Sequence, residues 1–579
     1  MSEATKQLEY WLNDEYFDDA TKQELLAIRN DEAEVEDRFY RELEFGTGGL
    51  RGVIGAGTNR MNKYTVRKAT QGLANYIKKH GGPDAPKKGV AISFDCRRFS
   101  PEFADETALC LAANGIKAYV SDILRPTPEL SFALREFGCI AGVMVTASHN
   151  PPEYNGYKVY WEDGAQVTPP HYTGIISEVV AITDYHEVKT MSKEDAIAQG
   201  LYVSFGEEID DKYMVELKKQ IIHKDVIDEM ADKFTIVYSP FNGTGNLPVR
   251  RVLKELGFKN VFVVPEQEKP DPNFTTLAYP NPEDPKAFEL ALKLAKEKDA
   301  DIVLATDPDA DRLGIYAKDL KTGEYVAFTG NMSGMLIGEY ILRERKATGT
   351  MPANPAFVTT IVTTNMAKAV ANKYGLHYIE VLTGFKYIGE QIKLFEEQGQ
   401  SHNYVFGLEE SYGCLAGTHA RDKDAIVAVM MLCELAAFYK KQGKSVWDAM
   451  IDMYEDYGYY KEGQYSITMK GKEGAEQIAA LMDRLRSNPP KEFGNWKVEE
   501  FRDYKTGKTI DMATGKEGTT GLPTSNVLYF ALNDDSWCCA RPSGTEPKIK
   551  FYMGVKGKNL EDAAKLQDEL TAAVKEVVG

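Results

Sequence analysis

One arrangement recurs three times along the chain: a short apolar strand, a polar or Gly-containing loop, a helix closed by glycine, and a second strand. It occupies strand 89–94, helix 101–113, Asn114-Gly115 and strand 116–120. It returns as strand 234–238, helix 248–256, Gly257 and strand 260–264, and again as strand 357–362, helix 365–373, Gly375 and strand 377–381. Each copy reads as a βαβ unit, which builds parallel or mixed sheets covered by helices. Three copies predict three related α/β modules rather than one large sheet. The length of 579 residues allows this, against a prior of roughly 150 residues per domain.

The last part of the chain differs. From about Tyr459 the pattern gives a short strand at 465–469, a helix at 474–485, several short strands separated by turns, and a closing helix at 560–578. The expected fold is therefore α/β with four domains around a central cleft: three related modules with mixed sheets and a C-terminal α+β domain. The expected divisions are an acidic helical extension at 1–40, then domains at 41–205, 206–325, 326–455 and 456–579.

Composition narrows the function classes. Lys plus Arg numbers 69 against 87 Asp plus Glu, a net charge of −18, whereas binding a nucleic-acid backbone rests on clustered cations. A 43% hydrophobic, 27% charged chain is not globally disordered. The longest nearly apolar run, 425–438, is interrupted by Glu434 and is too short for a bilayer, so it reads as a buried helix. No basic-then-apolar leader opens the sequence. Seven cysteines lie scattered in apolar stretches without a CxxC pair, which favours neither a metal cage nor a disulfide framework. The expectation is a cytoplasmic, reduced protein acting on small molecules, with no nucleic acid and no membrane partner, as a monomer or homodimer.

Six segments could carry chemistry. Thr146-Ala-Ser148-His149-Asn-Pro151 follows the apolar run 140–145, and open α/β sheets place ligand sites where strands end in loops. Taken alone, Ser148 reads as a turn residue. Asp307-Pro-Asp309-Ala-Asp311-Arg312 follows the apolar strand 301–305, and carboxylates at i, i+2 and i+4 can converge on one hard cation. An EF-hand would need Gly where Arg312 stands and Glu where Lys318 stands, so an open three-carboxylate Mg²⁺ site is favoured. Arg541-Pro-Ser543-Gly544-Thr545-Glu-Pro-Lys548, between probable strands, offers hydroxyls, cations and a glycine as an anion cradle, or else a polar hairpin turn. In Gly407-Leu-Glu409-Glu410-Ser411, side chains at i and i+2 on extended chain could grip vicinal sugar hydroxyls; His419, Arg421 and Lys423 follow. Thr383-Gly384-Phe385-Lys386 reads as a helix-initiating loop. The Gly-rich segment 45–52 carries Arg51, which could meet a phosphate.

Together these segments resemble the α-D-phosphohexomutase superfamily, and within it the longer bacterial members of the phosphoglucomutase/phosphomannomutase family. T-A-S-H-N-P, D-P-D-A-D-R, G-L-E-E-S-Y-G and R-P-S-G-T-E-P stand in that family's order, one per domain of its four-domain plan, over about residues 40–579. The resemblance implies that Ser148 is the phosphoserine and that Asp307, Asp309 and Asp311 hold one Mg²⁺ together with a phosphate oxygen on Ser148. It implies that Glu409 and Ser411, with Thr383 and Gly384, bind sugar hydroxyls, and that Arg541, Ser543, Gly544 and Thr545 clamp the phosphate that does not react. Arg51, His149, Lys158, Arg312, His419, Arg421 and Lys423 would line the cleft, with Lys158, His149 and His419 as candidate general bases. The activity implied is exchange of glucose 1-phosphate and glucose 6-phosphate through a glucose 1,6-bisphosphate intermediate that also serves as activator. Mannose or pentose phosphates are the competing substrates, and a non-catalytic sugar-phosphate binder is the competing class. Glu-Glu-Ser in place of Glu-Met-Ser leans toward glucose.

Overall fold

The computed structural model describes residues 2–46, 48–469, 471–543 and 548–579. Strands made almost wholly of apolar residues end up buried on both faces at sheet centres, as parallel sheets under helices require. In the first sheet Val90–Phe94 and Ala141–Val145 are such strands, buried along their whole length. The spatial order is Gly49–Val53, Tyr154–Trp161, Ala141–Val145, Val90–Phe94, Ala118–Ser121, Tyr202–Phe205, with the first two pairings antiparallel and the rest parallel. The second sheet runs Tyr325–Phe328, Leu313–Lys318, Ile302–Thr306, Thr235–Ser239, Asn260–Val263, and the third His377–Val381, Pro355–Thr360, Asn403–Glu409, Gly413–Ala416. Both are mixed.

The glycines that suggested helix ends do that work. Gly257 (φ 99°) closes helix Asn246–Leu256 and Gly375 (φ 69°) closes helix Met366–Tyr374, each in the left-handed region where a side chain is strained. The apolar run becomes helix Ala425–Lys441, buried almost throughout. Its single interior charge, Glu434, accepts the N–H groups of Ile222 and His223 and the hydroxyl of Tyr340, which satisfies a carboxylate buried among hydrophobics. This helix stitches the second and third modules into one continuous core, whereas the first and fourth keep cores of their own.

The fourth unit is an antiparallel sheet, ordered Tyr459–Thr468, Lys548–Gly557, Trp537–Pro542, Leu528–Leu532, Trp496–Asp503, Lys508–Asp511, Glu517–Thr519. Helices Gly471–Ser487 and Leu560–Val578 pack on it. Its first strand is longer than the expected 465–469 because pairing with Lys548–Gly557 carries it through Gly463 and polar residues that break any hydrophobic alternation. The third module's strand ends earlier than expected: Ile361 and Val362 leave it to join an apolar cluster facing the fourth sheet. The second sheet includes Tyr325–Phe328 and so extends just past the expected division at 325. At the N terminus, helices Glu3–Asn13, Asp19–Ile28 and Glu32–Phe39 close around Trp11, which stacks on Phe17 and meets Tyr64 and Tyr185 of the first module edge-on. All seven cysteines are free and buried, and no helix among the described residues is long and apolar enough to cross a membrane.

Candidate active site

Strand Ala141–Val145 delivers the chain into the loop holding Ser148, whose φ of 52° places a non-glycine residue in the left-handed region. Such a conformation costs about 1–3 kcal/mol and persists only when its surroundings hold it. Here it aims the hydroxyl across a module boundary: Ser148 Oγ donates to Asp307 Oδ2 at 2.9 Å and lies 3.0 Å from His149 Nδ1. Burial and the nearby cations Arg312 and Arg51 hold His149 well below the usual histidine range, so its ring is neutral.

The carboxylates expected to converge do so. Asp307, Asp309 and Asp311 are at most 2% exposed, and one oxygen from each lies within 4.8 Å of the others. The loop turns at Ala310 (φ 52°), and Asp307 Oδ1 accepts the N–H groups of Asp311 and Arg312, which draws the carboxylates inward. Asp309 Oδ2 accepts from Lys158 Nζ at 2.8 Å and Thr127 Oγ1 at 2.7 Å, while Asp311 Oδ2 stands 3.2 Å from Lys423 Nζ and 3.7 Å from Lys158 Nζ. Burial pulls the Lys158 ammonium down, but Asp309 and Asp311 outweigh it and keep the lysine charged. Burial and the other two aspartates push the Asp307 carboxyl well above the usual carboxylate range.

This donor set fits a hard divalent cation. Asp309 Oδ1 and Asp311 Oδ1 are buried with no hydrogen-bond partner among the described residues, and buried carboxylate oxygens are rarely left so. Three oxygen ligands with open positions suit Mg²⁺ or a similar ion, which would also relieve their mutual repulsion.

The third module supplies the opposite wall. Glu409 ends strand Asn403–Glu409, and Ser411 Oγ donates to Glu409 Oε1 at 2.9 Å. Lys423 Nζ bridges this loop to the acidic loop, 3.6 Å from Glu409 Oε1 and 3.3 Å from Asp422 Oδ1. The lysine stem crosses Gly413, where a Cβ would fall 1.9 Å from Lys423 Cδ, so only glycine admits it. Glu410 instead receives the Thr360 hydroxyl at 3.4 Å, and burial together with Glu409 pushes its carboxyl up to about 7. Thr383 Oγ1 is buried without a partner among the described residues, just before Gly384 (φ 120°) and helix Phe385–Glu397. Arg312 pairs with Glu283 at 2.8 Å, and Arg51 donates to Asn150 Oδ1 at 3.3 Å. Arg541 lies on strand Trp537–Pro542 and Ser543 directly follows it; Gly544 and Thr545 fall outside the described residues.

Two expectations are corrected. His419 and Arg421 are buried and their side chains are engaged within the third module rather than with the Ser148 or acidic loops. His419 Nε2 binds Asp424 Oδ2 at 2.7 Å, and Arg421 pairs with Glu396 at 2.5 Å and donates to the Thr418 carbonyl. His419 is therefore a packing residue and leaves the list of candidate bases. Conversely, Thr127 and Arg97, outside every expected segment, support the site. Thr127 grips Asp309 through both its N–H and its hydroxyl, and Arg97 donates to the carbonyl of Ser148. Thr127 carries no local signal. Arg97 does, since it follows the carboxyl end of a central parallel strand, where such sheets place their sites.

Family models described as phosphoglucomutase/phosphomannomutase alpha/beta/alpha domains I, II and III match residues 42–186, 211–322 and 329–457. The chain belongs to this family. Among curated relatives, the phosphoglucomutase of Staphylococcus aureus (strain bovine RF122 / ET3-1) is 36% identical over 533 residues, 92% of this chain and 93% of the relative. That of Staphylococcus haemolyticus (strain JCSC1435) is 36% identical over 530 residues, 91% and 93% of the two chains. The fold is shared with the crystal structure of a putative phosphomannomutase from Thermus thermophilus (TM-score 0.67, 21% identity, 93% of this chain and 99% of that one). It is also shared with the open form of Paramecium pp63/parafusin, a phosphoglucomutase (TM-score 0.68, 18% identity, 93% and 96%). For a phosphoglucomutase/phosphomannomutase family member, the meeting of a serine hydroxyl with an acidic trio is the feature that calls for a chemical account.

Proposed function

We propose that this chain is a phosphoglucomutase that moves a phosphoryl group between the 1- and 6-oxygens of glucose phosphate through phospho-Ser148. The observation that carries this reading is the Ser148–Asp307 contact of 2.9 Å, which joins the loops of two modules in one buried site. A carrier is needed because one fixed site cannot reach both ends of the sugar. In the first half-reaction the phosphorus–oxygen bond to Ser148 breaks as one forms to a sugar hydroxyl, whose proton passes to a base while the freed Ser148 oxygen takes up a proton, giving the bisphosphate. The sugar then turns end for end. In the second half-reaction the phosphorus–oxygen bond to the other sugar oxygen breaks as one forms to Ser148 Oγ, the sugar oxygen takes up a proton, and the Ser148 hydroxyl gives up its own, with Asp307 Oδ2 at 2.9 Å and His149 Nδ1 at 3.0 Å within reach of it.

Asp307, Asp309 and Asp311 would hold Mg²⁺. That ion supplies charge neutralisation at the transferring oxygens, which is most of what phosphoryl transfer asks of a site. Lys158, held charged beside Asp309, adds fixed positive charge in a place water does not dilute. Glu409 and Ser411, aided by Thr383 and Gly384, would grip the sugar hydroxyls. Arg541, Ser543, Gly544 and Thr545 would hold the phosphate that is not reacting, with Arg51, Arg312 and Lys423 along the walls. The substrates are hexose phosphates, glucose 1,6-bisphosphate is activator and intermediate, and the four domains divide near 205, 325 and 455.

The test is a substrate panel with trace glucose 1,6-bisphosphate. Glucose 1-phosphate should show the highest kcat/KM, with mannose 1-phosphate second and ribose 1-phosphate lowest. Dominant turnover of the pentose phosphate would overturn the assignment of substrate.

A further inference from the structure

We propose that the buried Asp95–Arg97 pair is the positioning device of the nucleophile, holding Ser148 by both of its peptide groups and tying its loop to the module that carries the acidic trio. This rests on the reading of Ser148 as the phosphoryl carrier.

The Arg97 guanidinium collects four main-chain carbonyls of the loop. Its Nη2 donates to Ser148 O at 2.6 Å and Asn150 O at 2.5 Å, and its Nη1 donates to Pro151 O at 2.8 Å and Tyr154 O at 3.0 Å. Charged donors make the stronger hydrogen bonds, and a planar fork reaches several acceptors at fixed angles where an ammonium cannot. Asp95 organises the other side. One of its oxygens accepts the Arg97 N–H at 2.9 Å and the Ser100 hydroxyl at 2.8 Å. The other accepts the Thr146 hydroxyl at 2.6 Å and lies 3.2 Å from Arg97 Nε. Thr146 Oγ1 in turn receives the N–H of Ser148 at 2.8 Å. The carbonyl of Ser148 is thus held by Arg97 directly, and its N–H by Asp95 through Thr146.

Both charged side chains are fully buried. A buried ion pair is a poor way to gain stability compared with an apolar core of the same volume, so its worth here lies in geometry. What it fixes is the left-handed backbone of Ser148, the conformation that aims Oγ at Asp307. The device also crosses to the second module: the Arg97 guanidinium lies 5.1 Å from the Phe274 ring centroid, and Arg98 Nε donates to Asn273 Oδ1 at 2.9 Å. Among the described residues Asp95 and Arg97 make no hydrogen bond to the trio or to a side chain assigned to substrate, so they act through the loop that carries Ser148.

The test compares wild type with Arg97→Lys, Arg97→Ala and Thr146→Val, the last removing only the hydroxyl relay at nearly constant volume. The readouts are kcat and KM for glucose 1-phosphate and the uptake and loss of phosphate on Ser148 by intact-mass spectrometry with glucose 1,6-bisphosphate. Arg97→Lys should lower kcat about 10²-fold with KM within about twofold, because a misplaced nucleophile costs rate rather than ground-state binding. Thr146→Val should lower kcat about tenfold in the same pattern. Guanidinium ion should restore part of the Arg97→Ala rate and nothing in wild type. Wild-type kcat and phosphate uptake in either Arg97→Lys or Thr146→Val would overturn the positioning role. Wild type that takes up no phosphate on Ser148 would instead remove the carrier reading on which the role depends.

Discussion

Where the first module meets the second, the contacts are short, polar and buried. Thr127 donates its N–H to the Asp309 carbonyl at 2.9 Å and its hydroxyl to the Asp309 carboxylate at 2.7 Å, Lys158 reaches that carboxylate, and Ser148 reaches Asp307. The third module meets the fourth through a different material. Ile361, Val362 and Leu382 pack against Tyr504, Val527, Tyr529, Trp537 and Tyr552, with a loose Arg502–Glu380 pair at 3.4 Å and a Tyr460–Asp535–Asn365 contact beside them. Directional bonds fix atoms, whereas apolar contacts resist separation but permit sliding. The junction of Ser148 with the acidic loop is therefore held by directional bonds, and the sheet carrying Arg541 is attached mainly through an apolar surface, which favours shear. Such an arrangement suits a reaction in which one intermediate must be released, turned and gripped again at an unchanging centre.

That contrast can be broken from either side. At the polar junction, Asp309→Asn should lower kcat about 10³-fold and weaken the dependence on Mg²⁺, with the fold retained because the loop stays anchored by Asp307. An unchanged kcat would show that the polar junction is not the reacting centre. At the arm, Arg541→Ala should raise KM about 10²-fold while kcat falls less than tenfold, since a clamp on a non-reacting phosphate binds ground and transition states alike. A loss confined to kcat would place Arg541 at the chemistry instead.

The smallest effect concerns Glu462, on the first strand of the fourth sheet, whose Oε1 is buried without a hydrogen-bond partner among the described residues. Burial lifts its carboxyl to about 7, opposed by the polar side chains of Thr364 and Asn331 and, to a lesser degree, by the charge of Lys461. A carboxyl raised in the folded state is protonated there while the unfolded chain is already ionised. Its contribution to stability is thus full below the ordinary value and lost as pH rises to about 7. Glu462→Gln should therefore melt with wild type near pH 4.5 and above it at pH 8, by at most about 3 kcal/mol. A pH-independent difference in Tm would show that this carboxyl does not load the junction.

Much of this was legible because the chemistry sits where apolar strands end. Ser148 follows Ala141–Val145 and Asp307 follows Ile302–Thr306, so periodicity located both loops, and carboxylates two residues apart announced the trio. Thr127 was not legible, since its partner lies 182 residues away and nothing local distinguishes it from an ordinary helix start. His419 and Arg421 were expected along the cleft by resemblance alone, and their side chains are held instead by Asp424 and Glu396. After Gly417 (φ 81°) the chain bends, and only Lys423 emerges toward the cleft. Glu462 illustrates the same limit, because its environment is made by the third module.

The central claim is most directly tested by intact-mass and peptide mapping of the purified protein and Ser148→Ala after exposure to glucose 1,6-bisphosphate. One added phosphoryl group is expected on the peptide bearing Ser148, none on the variant, and no mutase turnover by the variant. Substantial turnover by Ser148→Ala, or the phosphoryl group mapped to another side chain, would contradict it.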